Sequence, residues 1–284
     1  GSSVSRTVCP RTEKSQTEEH TMLSLKDVVV GQAILPPRIL IYGRPGVGKT
    51  TFASKASNPI FIQTEDGADV AGAARFPKAE SYEQVIEAID LLANETHKHG
   101  AVVIDTLDWL SPLVYEKTVQ DGKENPNFKT KNLTSIEDFG YGKGYEYADM
   151  HFRAILDKLN HLRSAKGMAV IMLAHSELKR YEDPASEGYD RYMPKLHKKA
   201  AATCMEYADI VGFANYHTSL RQVDKGFGQT KNIAIGDGSR VLYTQEKPSF
   251  IAKSRYDIPH ELPFSWADLV AAIQPVKELK NGTN

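Results

Sequence analysis

Residues 43–50 are Gly-Arg-Pro-Gly-Val-Gly-Lys-Thr, which matches the pattern Gly-x-x-x-x-Gly-Lys-[Ser/Thr] at every fixed position. The motif directly follows an apolar, β-rich run at 38–42 and precedes a short predicted helix at 49–56. A phosphate-binding loop needs this context, since its glycines let backbone N–H groups curl around phosphate oxygens. The motif therefore predicts a fold that begins with a strand, this loop and a helix; the alternative is a chance glycine-rich turn.

The rest of the chain alternates between apolar runs and helical patterns. Uninterrupted apolar strands separated by helices indicate a parallel sheet covered on both faces. Predicted strands lie at 38–42, 60–63, 101–104 and 168–174, and predicted helices at 49–56, 81–94 and 147–163. Short strands separated by Gly/Asp turns follow at 209–214, 231–235, 240–244 and 249–253. We therefore expect an α/β fold with a mostly parallel central sheet, extended by C-terminal antiparallel hairpins.

Four segments of the chain differ from this core in composition or periodicity. Residues 1–21 are mostly polar, and we expect a flexible leader or the remnant of a removed tag. We expect a single domain over 22–275 and a flexible tail at 276–284. Inside the domain, 115–145 and 176–198 lack clear periodicity and are expected to be long loops, which in compact domains are usually functional or disordered.

Composition excludes several classes of protein. The 284 residues include 35 Lys+Arg and 36 Asp+Glu, a formal net charge of −1, so bulk positive charge cannot hold the chain on nucleic acid. No apolar run approaches the roughly 20 residues of a membrane span. Two cysteines, Cys9 and Cys204, cannot form a disulfide framework. We therefore expect a soluble, cytoplasmic protein.

The loop motif and one later strand predict an ATP and Mg²⁺ site. Lys49 is expected to reach the β- and γ-phosphates, and the Thr50 hydroxyl to bind Mg²⁺. The apolar run at 101–105 ends in Asp105, the position from which a carboxylate holds the same Mg²⁺, although acids are common at strand ends. Asp108 is interpreted as a helix-start residue. The predicted nucleotide contacts are Gly43, Arg44, Pro45, Gly46, Val47, Gly48, Lys49, Thr50 and Thr51.

Three further segments resemble motifs of one family. Glu65 follows the second strand, His175 ends the strand Met-Leu-Ala-His, and residues 252–257 are Ala-Lys-Ser-Arg-Tyr-Asp. With the loop, residues 36–257 resemble the RecA/RadA-like P-loop ATPase core, in particular single-domain phage-encoded recombination ATPases. The last segment is similar to the KNRFG motif of RadA-type proteins, with Ser254 in place of Asn and Asp257 in place of Gly.

The resemblance implies a set of catalytic roles. Glu65 would polarise the attacking water, and His175 would contact the γ-phosphate where these proteins usually have Gln. Lys253 and Arg255 would reach the nucleotide of a neighbouring subunit, which implies a ring or filament. The alternatives are a surface carboxylate for Glu65, a strand-end cap for His175, and an edge strand with solvated cations for the last pair.

The resemblance also implies contact with single-stranded DNA through the segments after the Asp105 and His175 strands. Residues 179–199 hold six Lys/Arg and four Asp/Glu, a net charge of +2, mixed with tyrosines as in surfaces that track a backbone and stack bases. The alternative is a solvated loop. The candidate DNA-binding residues are Lys179, Arg180, Tyr181, Arg191, Tyr192, Lys195, Lys198 and Lys199.

Two other functions stay open on the sequence. One is a monomeric P-loop small-molecule kinase or nucleotide switch, although no guanine-reading Asn-Lys-x-Asp motif is present. The other is a nucleotide-dependent loader of another recombination protein or single-strand-binding protein. The leading expectation is a DNA-stimulated ATPase that acts in phage-type recombination or single-strand annealing.

Overall fold

The computed structural model describes residues 35–66, 72–125, 132–182, 187–217, 219–224, 230–235 and 238–273. The expected leader at 1–21, the expected start of the domain at 22 and the expected tail at 276–284 lie outside these residues.

Within the described residues, ten strands form one sheet in the order β12-β10-β7-β1-β5-β4-β2-β3, with β11 beside β7 and β6 beside β5. The strands are β1 (Arg38–Gly43), β2 (Pro59–Gln63), β3 (Ala74–Arg75), β4 (Ala101–Asp105), β5 (Ala169–Tyr181), β6 (Tyr189–Pro194), β7 (Ile210–Tyr216), β8 (Ser219–Asp224), β9 (Thr230–Ile235), β10 (Arg240–Tyr243), β11 (Lys253–Ser254) and β12 (Glu261–Pro263). The helices are α1 (Lys49–Ala53), α2 (Tyr82–Asn94), α3 (Leu107–Glu124), α4 (Lys143–Lys166), α5 (Lys198–Tyr207) and α6 (Trp266–Ile273), with a 3₁₀ turn at Ile136–Phe139.

The centre of the sheet is parallel. β1 pairs in parallel with β5 and β7, and β4 pairs in parallel with β5 and β2. β10 and β11 pair antiparallel with β7, and β12 with β10. The predicted fold class is thus confirmed, with one difference: β9, predicted to extend this sheet, pairs with β8 in a separate two-stranded sheet.

Helices cover both faces of the sheet because side chains on each strand alternate between two apolar cores. In β1, Leu40 and Tyr42 face the core that also contains apolar residues of α2, α3, α4 and α5. Ile39 and Ile41 face the other core, which includes residues of α1 and α6. The central strands are therefore buried on both sides, which explains their unbroken apolar sequences.

The segment 115–145 is mostly helical, so the predicted long loop is wrong. Helix α3 runs to Glu124, the 3₁₀ turn follows, and α4 begins at Lys143; residues 126–131 lie outside the described part. The pattern of α3 is hard to recognise because it contains Pro112 and its buried stripe changes from Leu110 to the polar Thr118. The Thr118 hydroxyl donates to the carbonyl of Val114 at 2.7 Å, which permits its burial.

The segment 176–198 is also ordered, as a β-hairpin. β5 continues from the sheet through Tyr181 and pairs antiparallel with β6. The pairing starts at Ser176, the residue after His175, and the backbone N–H of Lys195 returns to donate to the carbonyl of His175 at 2.8 Å. Residues 183–186 at its tip lie outside the described residues. The predicted loop is therefore a hairpin anchored at both ends beside His175.

Candidate active site

The phosphate-binding loop lies at the carboxyl end of β1 and depends on three glycines. Gly46 and Gly48 have φ values of 78° and 98°, in the left-handed region that side chains disfavour. A Cβ at Gly43 would clash with the carbonyl oxygen of Ala214 on the neighbouring strand β7. The backbone can therefore make this turn only with glycine at these positions.

Lys49 is folded back onto the loop. Its Nζ donates to the carbonyl oxygens of Gly43 and Arg44, both at 3.2 Å, and the residue is 6% exposed. Burial lowers the pKa of the ammonium group, and the nearby carboxylates of Asp108, Asp105 and Glu65 oppose this effect. The cation is thus held inside the loop, where the phosphates of a nucleotide would bind.

Thr50 and Asp105 form the candidate metal site. The Thr50 hydroxyl donates to Oδ2 of Asp105 at 2.9 Å, and Asp105 is 1% exposed. Burial raises the pKa of Asp105, while the hydrogen bond from Thr50 and the charge of Lys49 lower it. Its second oxygen, Oδ1, is buried with no hydrogen-bond partner in the described structure. A buried carboxylate oxygen without a partner, next to a hydroxyl, fits the hard oxygen ligation that Mg²⁺ prefers.

This pair would supply only part of a coordination shell. In the described part of the chain, no group of three or more His, Cys, Asp or Glu side chains is placed to hold a metal ion. Mg²⁺ commonly binds through one or two protein ligands plus substrate phosphates and water. The residues present therefore fit a metal that arrives with a nucleotide.

Glu65 lies beside Asp105 because β2 and β4 are neighbours. Gln63 is paired with Asp105, and the Thr64 N–H donates to the Asp105 carbonyl at 2.9 Å. Burial raises the pKa of Glu65; the charge of His175 lowers it, and that of Asp105 raises it. A carboxylate of raised basicity at this position suits the activation of a water molecule.

His175 lies between the loop and Asp105. β5 is the strand between β1 and β4, and its pairings place His175 beside Gly43 and Leu173 beside Asp105. The structure thus brings Lys49, Asp105 and His175 to one edge of the sheet, with Glu65 next to them.

Asp108 belongs to the same group, although the sequence predicted only a helix start. It does lie in the first turn of α3, but its side chain is 5% exposed and contacts His175. Its Oδ1 accepts the His175 N–H at 2.9 Å, and its Oδ2 lies 2.8 Å from Nδ1. The spacing of Asp105 and Asp108 is the only local signal that could have indicated this role.

Arg240 lies on the other side of the loop, and the sequence did not indicate this position either. Arg240, an exposed residue of β10, donates from Nη1 to the Val47 carbonyl at 3.3 Å, and a Cβ at Gly48 would clash with its guanidinium group. Tyr216, its partner in β7, donates its hydroxyl to the Gly46 carbonyl at 3.4 Å. Both side chains therefore lie against the loop on the side away from Asp105.

Lys253 and Arg255 lie at the opposite edge of the sheet. β11 pairs with the start of β7 at Ile210, whereas the loop lies beside Ala214 near its end, about 13 Å further along the strand. Arg255 Nη1 is 3.1 Å from Asp209 Oδ1. Contact with the nucleotide of the same chain is thus excluded by position, and contact with that of a neighbour stays a prediction.

The candidate DNA-binding residues divide into two groups. Lys179, Arg180, Lys198 and Lys199 carry partly or fully exposed side chains on the hairpin and the start of α5, and Lys195 lies between them. Lys179 and Lys199 form ion pairs with Glu177 and Glu146, and Arg180 pairs with Glu182 and Asp190.

Arg191 and Tyr192 were candidates for an exposed DNA-binding surface, but their side chains pack against the protein. Arg191 is 4% exposed, pairs with Glu246 at 2.5 Å and stacks over Tyr181, with its guanidinium carbon 4.8 Å from the ring centroid. The Tyr192 ring stacks on Phe213 in the core at 5.1 Å between centroids. Both residues lie in the middle of the hairpin and contact the protein itself, with Arg191 buried and Tyr192 partly buried; Tyr181 is 39% exposed.

A cavity of about 340 Å³ opens between α3, β5 and the segment that joins β6 to α5. Lys179 and Lys195 contribute positive charge to its wall, and Tyr115 and His197 contribute rings. The remaining lining residues are Asp108, Ser111, Pro112, Glu177 and Leu196. The cavity thus lies next to the His175 side of the nucleotide site.

The loop at the end of a central parallel strand, the lysine inside it and the Thr50–Asp105 pair together define a P-loop NTPase. The chain belongs to the AAA domain family AAA_24, whose model matches residues 35–256. No curated protein sequence matches the chain. The protein is therefore a nucleotide-binding P-loop ATPase. Among the described residues, no helix combines the length and apolar character needed to cross a membrane.

Proposed function

We propose that this protein is a RecA-like ATPase that binds single-stranded DNA and acts in phage-type homologous recombination or strand annealing, as a ring or filament. One observation carries the proposal. β5 brings His175 to the phosphate-binding loop and continues without a break into a hairpin with exposed cations. A ligand on the hairpin and a nucleotide in the loop would contact the same strand.

The residues around the loop divide the work of ATP hydrolysis. Lys49 and the loop backbone would hold the β- and γ-phosphates, and Thr50 and Asp105 would hold Mg²⁺. When bound, Mg²⁺ neutralises phosphate charge and orients the terminal group. Glu65 orients a water molecule and accepts its proton, because its partly desolvated carboxylate has a raised pKa. His175 contacts the terminal phosphate from the neighbouring strand.

The other side of the loop accommodates the rest of the nucleotide. Glu65, Asp105 and His175 occupy the side toward β5 and β4, so the terminal phosphate and water belong there. Arg240 and Tyr216 lie on the side toward β7 and β10. The ribose and base would extend in that direction.

The DNA surface consists of the cavity and the cations around it. Lys179 and Lys195 line the cavity, and Lys198 and Lys199 lie on the first turn of α5 beside it. Cations next to rings suit the binding of a phosphate backbone with adjacent bases. Lys198 and Lys199 lie on α5, outside the sheet, so their charges can be changed without disturbing the loop.

A salt titration tests the DNA surface. Replacing both Lys198 and Lys199 by Ala should weaken binding of single-stranded DNA and reduce the slope of log K against log salt by about 1.4, since each phosphate contact contributes about 0.7. The matched control is Lys55→Ala/Lys98→Ala, which removes two exposed lysines elsewhere. An equal slope in the two double variants would place the DNA site elsewhere on the molecule.

A further inference from the structure

Both carboxylate oxygens of Asp108 contact the same residue, His175. One accepts the backbone N–H of His175 and the other faces Nδ1 of its ring, at 2.9 and 2.8 Å. The Asp108 side chain is 5% exposed and that of His175 is 19% exposed. The ring is therefore fixed in orientation by an almost fully buried partner, 67 residues away in sequence.

The carboxylate also determines where the ring carries its proton. Burial would raise the pKa of Asp108, but the hydrogen bonds from His175 outweigh it and the pKa is lowered. An ionised carboxylate can only accept hydrogen bonds, so Nδ1 must carry a proton and donate it to Asp108. The other nitrogen, Nε2, is then the atom that can meet a ligand, and among the described residues no hydrogen bond occupies it.

We propose that Asp108 is a positioning residue for ATP hydrolysis, which fixes the orientation and tautomer of His175 so that Nε2 is presented to the terminal phosphate. This inference rests on the proposed role of His175. In metal sites, a partner on the far nitrogen of a ligating histidine fixes its tautomer, and loss of that partner typically lowers metal affinity or activity 10–100-fold. We expect an effect of the same order here. Among the described residues, the carboxylates of Glu65, which follows β2, and Asp105, which ends β4, also face His175.

Asp108→Asn separates positioning from a purely structural role. The amide has nearly the same shape and can still accept the backbone N–H of His175 through its oxygen. Its NH₂ group would then face Nδ1, and two donors cannot form a hydrogen bond, so the ring must change tautomer or turn. Asp149→Asn is the matched control, because Asp149 is a largely buried carboxylate of helix α4, away from the loop, that binds Arg153 on α4 and Thr203 on α5.

The experiment is a double-mutant cycle on ATP turnover with Asp108→Asn, His175→Ala and the double variant. Asp108→Asn should lower kcat 10–100-fold and leave the dissociation constant for ATP unchanged. In the His175→Ala background it should cause no further loss, because a residue that acts only through His175 has nothing left to position. Asp149→Asn should keep wild-type kcat.

Three outcomes contradict the inference in distinguishable ways. Wild-type kcat in a folded Asp108→Asn protein overturns the inference about Asp108 and leaves the proposed role of His175 intact. The same holds if the losses of the two single variants multiply in the double variant. Wild-type kcat in His175→Ala removes the proposed role of His175 and this inference with it. Should Asp108→Asn not fold, Asp108→Glu takes its place: the longer carboxylate displaces the ring, so a lower kcat is expected, again with no further loss without His175.

Discussion

At the scale of single residues, we propose that Glu65 determines whether the site hydrolyses ATP or only binds it. Glu65→Gln keeps the size of the side chain but removes the proton acceptor. We expect kcat to fall about 10²–10⁴-fold with ATP affinity intact, the usual range for loss of a general base. Single-turnover hydrolysis and equilibrium ATP binding measure the two quantities separately.

An equal loss of binding and turnover in Glu65→Gln would show a different role, as a structural group or a metal ligand. Glu95→Gln is the matched control. Glu95 is an exposed carboxylate directly after α2, and the same chemical change there should alter neither quantity.

Some site residues could be predicted from sequence and others could not, for a physical reason. Lys49 and Thr50 stand in one local motif, and Asp105 and His175 end apolar runs that can be recognised as strands. Asp108 and Arg240 contact partners 67 and 193 residues away, so apart from the spacing of Asp105 and Asp108 no local pattern indicates their roles. Contacts of this kind arise only when the sheet order brings distant strand ends together.

At the scale of elements, a buried ion cluster joins the starts of β1 and β7. Asp209, whose side chain is 6% exposed, contacts Arg38 at 2.7 Å, Arg255 at 3.1 Å and Arg163 at 3.5 Å. Burial would raise the pKa of Asp209, but the hydrogen bonds from Arg38 outweigh it, so the pKa is lowered from its ordinary value of 3.8. One carboxylate thus holds two strands and α4 together.

Asp209→Asn should destabilise the fold at neutral pH by about 3 kcal/mol, because the largely buried Arg38 and Arg163 lose their counter-charge. A lowered folded pKa means that the wild-type carboxylate contributes its stability above pH 3.8 and loses it as the pH falls through the folded pKa. The difference in unfolding free energy between the two proteins should therefore shrink below pH 4. Urea unfolding over a pH series measures it.

The half-exposed pair of Asp90 and Lys158 supplies the control for this measurement. Asp90→Asn should change stability little at any pH, since exposed ion pairs contribute little. A constant deficit for Asp209→Asn down to acid pH would mean that packing, and not charge, causes the loss.

Elements that are stabilised by neighbouring residues could be predicted from the sequence, whereas elements that are stabilised by distant contacts could not. The predicted helix at 81–94 corresponds to α2, and at its start the Ser81 hydroxyl accepts the Gln84 N–H at 3.3 Å. The Gln84 side chain accepts the N–H of Glu80 and not that of Ser81, so the two residues do not cap each other reciprocally. The β5–β6 hairpin could not be predicted, because its strands mix charged and aromatic residues without alternation and are stabilised by contacts such as Tyr192 with Phe213.

At the scale of the whole molecule, the edge of the sheet that carries the phosphate-binding loop lies next to the β5–β6 hairpin. Asp108 lines the cavity and contacts His175, which is paired with Gly43 of the phosphate-binding loop, so these two residues connect the two regions. The contact of Lys253 and Arg255 with a neighbouring subunit stays a prediction. In this chain Arg255 is bound to Asp209 and to the carbonyl of Glu206, so a role in assembly would require it to exchange partners.

The rate of ATP hydrolysis with and without single-stranded DNA tests the central claim most directly. The protein should hydrolyse ATP in the presence of Mg²⁺, and single-stranded DNA should raise kcat. A folded Lys49→Ala variant should lose activity under both conditions, because the phosphates lose the cation inside the loop. Hydrolysis that DNA leaves unchanged would contradict the proposed DNA-dependent motor, and ATP turnover that survives in Lys49→Ala would contradict the nucleotide site itself.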